Sequence, residues 1–399
     1  MRKLYIPLID VVRPLIVAIV GLALLAGMLT YQLGVMPDGI SANEVPVVHT
    51  VQANALSGRD ILQRNSLYLP HKLGLYALEK SGFTSLRAIR AVGVSFGLLG
   101  AIAMYIILRK WHTQRVALLT SLLFVTSSWF LYSARLAAPE TTYLLVPWLV
   151  YFGIRVQENN LRFLGLGLLM LLVTLILYIP GLCWFIIPAI IWQRSRVSAE
   201  LRQAGTKQSL LLVAGTLLVL LPLVMTFIND PSLIVDWLGA TGPRLSALEF
   251  LKNLANIPVQ LFARSELDPS THVGRLPYLD IATTVFVALG AYRYFFRRRL
   301  DRTKLLAAGL IVGSLLAALN FQAATILLPF IYIIAAAGIT LLLQQWFTVF
   351  PRNPLARNIG VGLVVLVVAL TGVYHLRRYF IAWPNTPETR QAYSISVKL

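Results

Sequence analysis

Long apolar runs broken by short polar or basic stretches set the pattern of this chain. A window of about 19 residues picks out eleven runs, approximately 14–33, 88–108, 116–134, 140–155, 162–178, 180–192, 208–228, 277–296, 304–320, 323–345 and 358–376. Each meets or approaches the roughly 20 residues that a helix needs to cross a hydrocarbon core of about 30 Å. The pattern therefore predicts an all-α polytopic membrane bundle. Runs four to six are short, and Tyr178-Ile179-Pro180-Gly181 carries two helix breakers. The fifth and sixth runs read either as two spans or as one kinked or re-entrant element. The first run stands where a cleavable signal would, but it ends at Gln32-Leu33-Gly34 without a small-x-small site, and it is read as an anchor.

Between the runs, two polar stretches at about 34–87 and 229–276 are too long for simple connections, and short corners fall at 135–139 and 320–323. Val47, Val48, Val51 and Ala55 recur at helical spacing, as do Leu248, Leu251, Leu254 and Ala255. Each long loop is thus expected to hold an amphipathic helix on the membrane surface. Two roles stand open for these helices, covering the ends of the bundle or forming a substrate groove. The whole chain, 1–399, reads as one membrane-embedded domain with a tail from about 377.

Composition strengthens this picture, because 57% of the residues are apolar and 13% charged, against about 45–50% and 25% in soluble domains. The 35 Lys and Arg exceed the 16 Asp and Glu by 19. They are dispersed between apolar runs, so they speak for topology rather than for nucleic-acid binding. With the N-terminus in the cytoplasm, 20 of the basic residues fall inside, including Arg2, Lys3 and Arg13, the Arg109–Arg115 group, Arg155 and Arg162, and the Arg293–Lys304 cluster. Only Asp10, Glu158, Glu200 and Asp301 of the acids join them. Both long loops then lie outside. Cys183 is the single cysteine, which excludes an internal disulfide.

Ionisable residues of the outer segments include Glu44, Asp60, Lys72, Arg135, Glu140, Arg264, Glu266, Asp268, His272 and Arg275. Phosphate-loop, GxSxG, HExxH and CxxC patterns are missing, and no two of the five histidines sit at metal-ligand spacing. Carboxylates and cations at one membrane face suit base-assisted attack on a phosphate-linked substrate. A carboxylate takes the proton of an acceptor hydroxyl while Arg or Lys neutralises the departing phosphate. A transporter or lipid flippase would instead place charge near the midplane. Here the span interiors are almost free of it, with Asp280 near an outer end and Arg293 near an inner one.

Ser41-Ala42-Asn43-Glu44, continued by Ala53–Asp60 and Leu86–Arg90, resembles the first external loop of polytopic GT-C glycosyltransferases, where an Asp-Glu pair stands. The block Ser127–Glu140, with Ser133-Ala134-Arg135 and the acid that follows, is similar to that family's second external corner. Gly274-Arg275-Leu276-Pro277 and Leu328-Pro329-Phe330 are weaker echoes. In layout the likeness covers most of residues 1–345 and is to the protein O-mannosyltransferase and aminoarabinose-transferase branch.

The resemblance implies inverting transfer of a sugar from a polyprenyl-phosphate donor to an extracytoplasmic protein, lipid or glycan acceptor. It implies a multi-pass protein of the bacterial cytoplasmic membrane, leaves a divalent cation open as cofactor, and involves no nucleotide cofactor or nucleic acid. The family's base position corresponds to Asn43, which cannot titrate. Glu44 leads as the base in its place, with Asn43 an orienting hydrogen-bond partner; Glu140 or Asp60 is the alternative, or the protein binds without catalysing. Glu140 also reads as an acid in the first turn of a helix begun by Pro139, where it complements the macrodipole. Arg135 either anchors its span at the interface or holds donor phosphate. Lys72, Arg264, His272 and Arg275 are further substrate-binding candidates, and Tyr68 and Tyr178 stand as interfacial aromatics able to stack on a sugar.

The charge map has a direct test. A reporter that works only outside the cytoplasm, fused after Leu399, is expected to be active, and activity of a cytoplasm-only reporter at that position would overturn the map.

Overall fold

The computed structural model describes residues 8–158, 163–242, 245–266 and 268–395, without the side chains of 8–18 and 204. Arg2, Lys3, Arg162 and Leu399 of the orientation map lie outside the described residues, as do the side chains of Asp10 and Arg13. Helix α1 (Leu8–Thr30) leads into a loop holding α2 (Val45–Gln52) and α3 (Leu69–Lys80). Then follow α4 (Leu86–Trp111), α5 (Gln114–Thr126), α6 (Ser128–Ala134) and a 3₁₀ turn, Pro139–Leu145, that runs on into α7 (Val146–Glu158). Helices α8 (Phe163–Ile176) and α9 (Cys183–Trp192) flank the Tyr178–Gly181 corner. Polar α10 (Arg194–Ala204) precedes α11 (Thr206–Asn229), and the second loop carries α12 (Leu233–Trp237) and α13 (Ala247–Phe262). The bundle is completed by α14 (Ile281–Phe295), α15 (Asp301–Leu319), α16 (Leu327–Val349) and α17 (Pro354–Arg377).

Helix starts follow the local chemistry. Ser85 and Asp280 accept from the backbone N–H groups of Ala88 and Thr283, and Ser246 with Glu249 forms a reciprocal capping box. Ser127, with extended backbone, ends α5 and caps α6 by accepting from Phe130, so this run is bent by 61° rather than straight.

All eleven apolar runs contain helix. Among the described residues five segments are long and apolar enough to cross by themselves, namely α4, α11, α15 and residues 321–349 and 354–385, and the bent α5–α6 pair makes a sixth. The shorter apolar helices include α8, α9 and α14. At 1.5 Å per residue the ten residues of α9 cover about 15 Å. The break expected at Tyr178–Gly181 is real, with Gly181 at φ +79° and its N–H donating to the Trp237 carbonyl.

The two loop helices form, and they differ from the expectation in what they cover. Val48 and Val51 of α2 are buried in the protein core, and the helix stops before Ala55. In α13 the first turns leave Leu248 and Leu251 about 60% exposed, whereas Ile257 and Leu261 dock inward. The apolar stripe of α13 is therefore half open to its surroundings and half docked.

At one end of the bundle both loops, the 135–139 corner and the segment after α17 meet. Trp383 Nε1 donates to the Pro269 carbonyl at 3.1 Å, and Tyr393 Oη to that of Ser270 at 3.0 Å. Ile40 and Ile395 form an antiparallel bridge. Below this strap His375 of α17 lies 2.9 Å from Asp280 Oδ2 and 3.1 Å from Ser128 Oγ, pinning α17 to α14 and α6. The corner itself packs on α4 where that helix is smallest. A methyl at Gly93 would meet the Leu136 carbonyl at 2.6 Å and one at Gly100 the Leu144 carbonyl at 2.3 Å, a backbone approach that small residues permit in membrane bundles.

An ion pair holds these parts in register. Arg90, the fifth residue of α4, is 1% exposed, so a charge does sit inside this span. Its Nε and Nη2 each donate to Glu44 at 2.9 Å, and its remaining N–H groups reach the carbonyls of Leu33 and Gly39. Glu44, with no exposed surface, also accepts from Ser41 and from the backbone N–H of Ala137 at 2.9 Å. Burial alone would raise the Glu44 carboxyl, but the Arg90 guanidinium and these hydrogen bonds outweigh it and hold the group below the usual carboxylate range.

Breaking a buried pair strands the remaining charge, at a cost of about 3–5 kcal/mol. Glu44→Gln and Arg90→Met are each expected to lower thermal stability in detergent, and the double variant to lose less than the sum. Additive losses would show that the two do not act as a pair. Because the folded Glu44 value is depressed, its stabilisation is present above the unfolded value of about 4.3 and fades as pH falls through the folded one.

Candidate functional site

At the loop end, a cavity of about 100 Å³ is lined by Asn43, Glu140, Asp268 and His272, with Tyr132 and Tyr278 among its aromatic walls. Four chain segments far apart in sequence supply it: the first loop, α6 with the corner after it, the second loop, and the turn that precedes α16. Asn43 and Glu44 are neighbours whose side chains diverge. Asn43 is exposed to the cavity, whereas Glu44 turns inward to Arg90 and is not on the cavity wall.

Glu140 sits in the first turn begun by Pro139, as the capping reading anticipates, and it also reaches the cavity. Among the described residues no cation pairs with it. Burial raises its carboxyl above the ordinary range, and only a hydrogen bond from its own backbone amide opposes that. Tyr68 is close enough to sense it. Burial, Tyr143 and then the charge of Glu140 hold the Tyr68 phenol well above its usual value, and the two phenolic oxygens lie 3.4 Å apart.

His272 belongs to a relay. Thr271 Oγ1 donates its single proton to Asp268 Oδ2 at 2.7 Å and lies 2.9 Å from His272 Nδ1. Nδ1 must then carry the hydrogen that Thr271 accepts, which leaves Nε2 as a lone-pair acceptor. Nε2 is buried without a partner on a residue that faces the cavity. Burial, followed by the nearby Arg378 charge, pushes this imidazole down to about 4, so it is neutral at neutral pH. Asp268 is further tied by Ser270, which fixes the turn 268–272.

The other candidates do not join this cavity. Arg135 is 3% exposed, stacks 5.0 Å from the Tyr379 ring and 4.9 Å from that of Phe380, and donates through Nη2 to the Tyr31 carbonyl. Its Nε and Nη1 have no acceptor. Asp60 pairs with Arg64 at 3.5 Å on the rim of a separate recess that also includes Asn65. Lys72 donates to Asn65, and burial pushes its amine down to about 8. Arg264 and Arg275 share a third recess with Glu266. Tyr178 is buried in the corner between α8 and α9, its hydroxyl donating to the Val219 carbonyl.

Of the three residues expected to catalyse, the cavity therefore gathers Asn43 and Glu140, joined by His272. Glu44 is not on the cavity wall: its lone pairs are engaged by Arg90, Ser41 and Ala137, and its proton affinity is lowered. Its hydrogen bond from the Ala137 amide falls three residues before Glu140. The signal overlooked in the sequence was Arg90, a cation within the first turn of an apolar run, which demands a buried partner. A second was the Asp268-Pro269-Ser270-Thr271 turn ahead of His272. Among the described residues no three His, Cys, Asp or Glu side chains are placed to share a metal ion.

No family model and no curated protein matches the chain. Among solved structures, the crystal structure of ArnT from Cupriavidus metallidurans in the apo state is similar to it with a TM-score of 0.56 at 12% identity, over 96% of this chain and 78% of that one. The archaeal oligosaccharyltransferase AglB from Archaeoglobus fulgidus, in complex with an inhibitory peptide and a dolichol-phosphate, gives 0.45 at 12% identity over 95% and 56%. The likeness to ArnT shows the fold. That shared arrangement of helices extends over nearly the whole of this multi-pass membrane chain.

Proposed function

We propose that this protein is an inverting membrane glycosyltransferase that moves a sugar from a polyprenyl-phosphate donor to an extracytoplasmic protein, lipid or glycan acceptor, with the N-terminus of the chain in the cytoplasm. The observation that carries the reading is an unpaired carboxylate of raised proton affinity, Glu140, on a cavity shared with Asn43 and the neutral His272, in a chain with the GT-C fold.

In this reading an acceptor hydroxyl oxygen attacks the anomeric carbon from the face opposite the phosphate. Glu140 takes the hydroxyl proton, the bond from the anomeric carbon to the phosphate oxygen breaks, and polyprenyl phosphate leaves with the electron pair. Asn43 orients the nucleophile by hydrogen bonding, taking the place of an acid without titrating. His272 Nε2 accepts from a sugar hydroxyl, its tautomer set by Thr271 and Asp268. Arg135 faces the far side of the same corner with two donors free, and a guanidinium can hold phosphate through two of them.

Loss of a general base costs about 10²–10⁴ in rate. Glu140→Gln is expected to lose this much in single-turnover transfer from polyprenyl-linked sugars while remaining folded, and an undiminished rate would remove Glu140 as base. Because the carboxylate is the active form and burial raises its proton affinity, the parent rate should climb with pH through a value above the usual 4.3 or so and then level off. Arg135→Lys keeps the charge but not the fork, so donor binding should weaken. Unchanged donor affinity would leave Arg135 as an anchor between Tyr379 and Phe380.

A further inference from the structure

At the other end of α4, roughly 30 Å from Arg90 by helical rise, lies a second recess that the transfer chemistry does not use. It encloses about 330 Å³ between the ends of α4 and α14, the start of α15 and the middle of α16. Lys110, His112, Arg293, Arg297 and Arg302 all line it, and none of its lining residues is Asp or Glu. Of these, Lys110 is already paired with Glu158, which also holds Arg155, and Asp301 is engaged with Lys304, so Arg293, Arg297 and Arg302 face the recess without an acidic partner among the described residues.

A surplus of basic residues at this end follows from topology alone, but topology does not explain why cations from α4, α14 and α15 converge on one hollow. Two polar atoms make the point sharper. Arg293 Nη1 is shielded from solvent with no acceptor, which is unfavourable unless something supplies one. His112 Nε2 is likewise buried and unpartnered, and its ring is held by Nδ1, 2.9 Å from Thr340 Oγ1. Thr340 gives its own proton to the Ala336 carbonyl, so Nδ1 is the donor and Nε2 an open acceptor. Beside the recess, Tyr292, Phe295 and Phe296 are each at least 60% exposed. Exposed aromatics next to arginines mark the depth of lipid headgroups.

We infer that this recess binds a phosphate group presented by an anionic lipid headgroup, with Arg293 and Arg302 as its principal ligands and His112 Nε2 accepting from a hydroxyl beside the phosphate. The site is independent of the sugar-transfer cavity. Basic pockets between helices at a membrane face take anionic headgroups by this chemistry, because the guanidinium fork matches phosphate oxygens.

The test uses the full chain in phosphatidylcholine nanodiscs with and without phosphatidylglycerol, read by thermal stabilisation and by native mass spectrometry of retained lipid. The parent should be stabilised by phosphatidylglycerol. Arg293→Gln/Arg302→Gln should bind it at least about tenfold more weakly, while Arg352→Gln, a charge lost from an exposed connection outside the recess, should behave as the parent. Should the double variant not fold, Arg293→Lys keeps the charge without the fork and is expected to weaken binding by itself. Equal protection by inorganic phosphate in phosphatidylcholine alone would support the phosphate site and assign it to a soluble ligand. Parental lipid binding in the double variant and in Arg293→Lys, or an equal loss in Arg352→Gln, would overturn the proposal.

Discussion

A carboxylate and a guanidinium removed from water must find each other, and in this chain Glu44 and Arg90 do so across 46 residues. The pair joins the loop after α1, the start of α4 and, through the Ala137 amide, the corner that presents Glu140. None of these parts could be placed by apolar packing alone, because a membrane bundle gains little from burying one greasy helix against another in a solvent of lipid tails. Directional polar contacts do the positioning instead. The small face of α4 then lets the corner settle against the helix axis.

The pair also shows what a linear reading can and cannot resolve. The apolar runs, the long loops and the break at Tyr178–Gly181 were legible because hydropathy and helix-breaking chemistry are local properties. Whether Asn43 or Glu44 faces the cavity depends on the turn between α1 and α2, and on a partner in another helix, which no window of 19 or so residues contains. Glu140 was readable as a helix-capping acid, and it is one; that it is also left without a cation follows only from the packing around it. For His272, the lone side chain carried almost no information. Its tautomer is set by a threonine that has already spent its proton on Asp268.

Helix α4 connects two ends with different electrostatic characters. At Arg90 the charge is matched by Glu44 and all of the guanidinium donors are satisfied, an arrangement that holds the first loop and the corner in place. Near Lys110 and His112 the cations outnumber the acids and two polar atoms wait without partners. The same helix thus serves as a rigid strut at one membrane face and as one wall of an open basic hollow at the other.

The strap after α17 has a consequence in time rather than in space. The turn that carries Asp268, Thr271 and His272 is held from behind by Trp383 and Tyr393, and the first loop is bridged to Ile395. During synthesis both loops emerge long before the segment that clamps them. A nascent chain halted before α17 has crossed would expose two tethered loops with a half-built cavity between them, so maturation of this face is coupled to insertion of the last long helix. The walls of the cavity thus become fixed only when the bundle beneath them is complete.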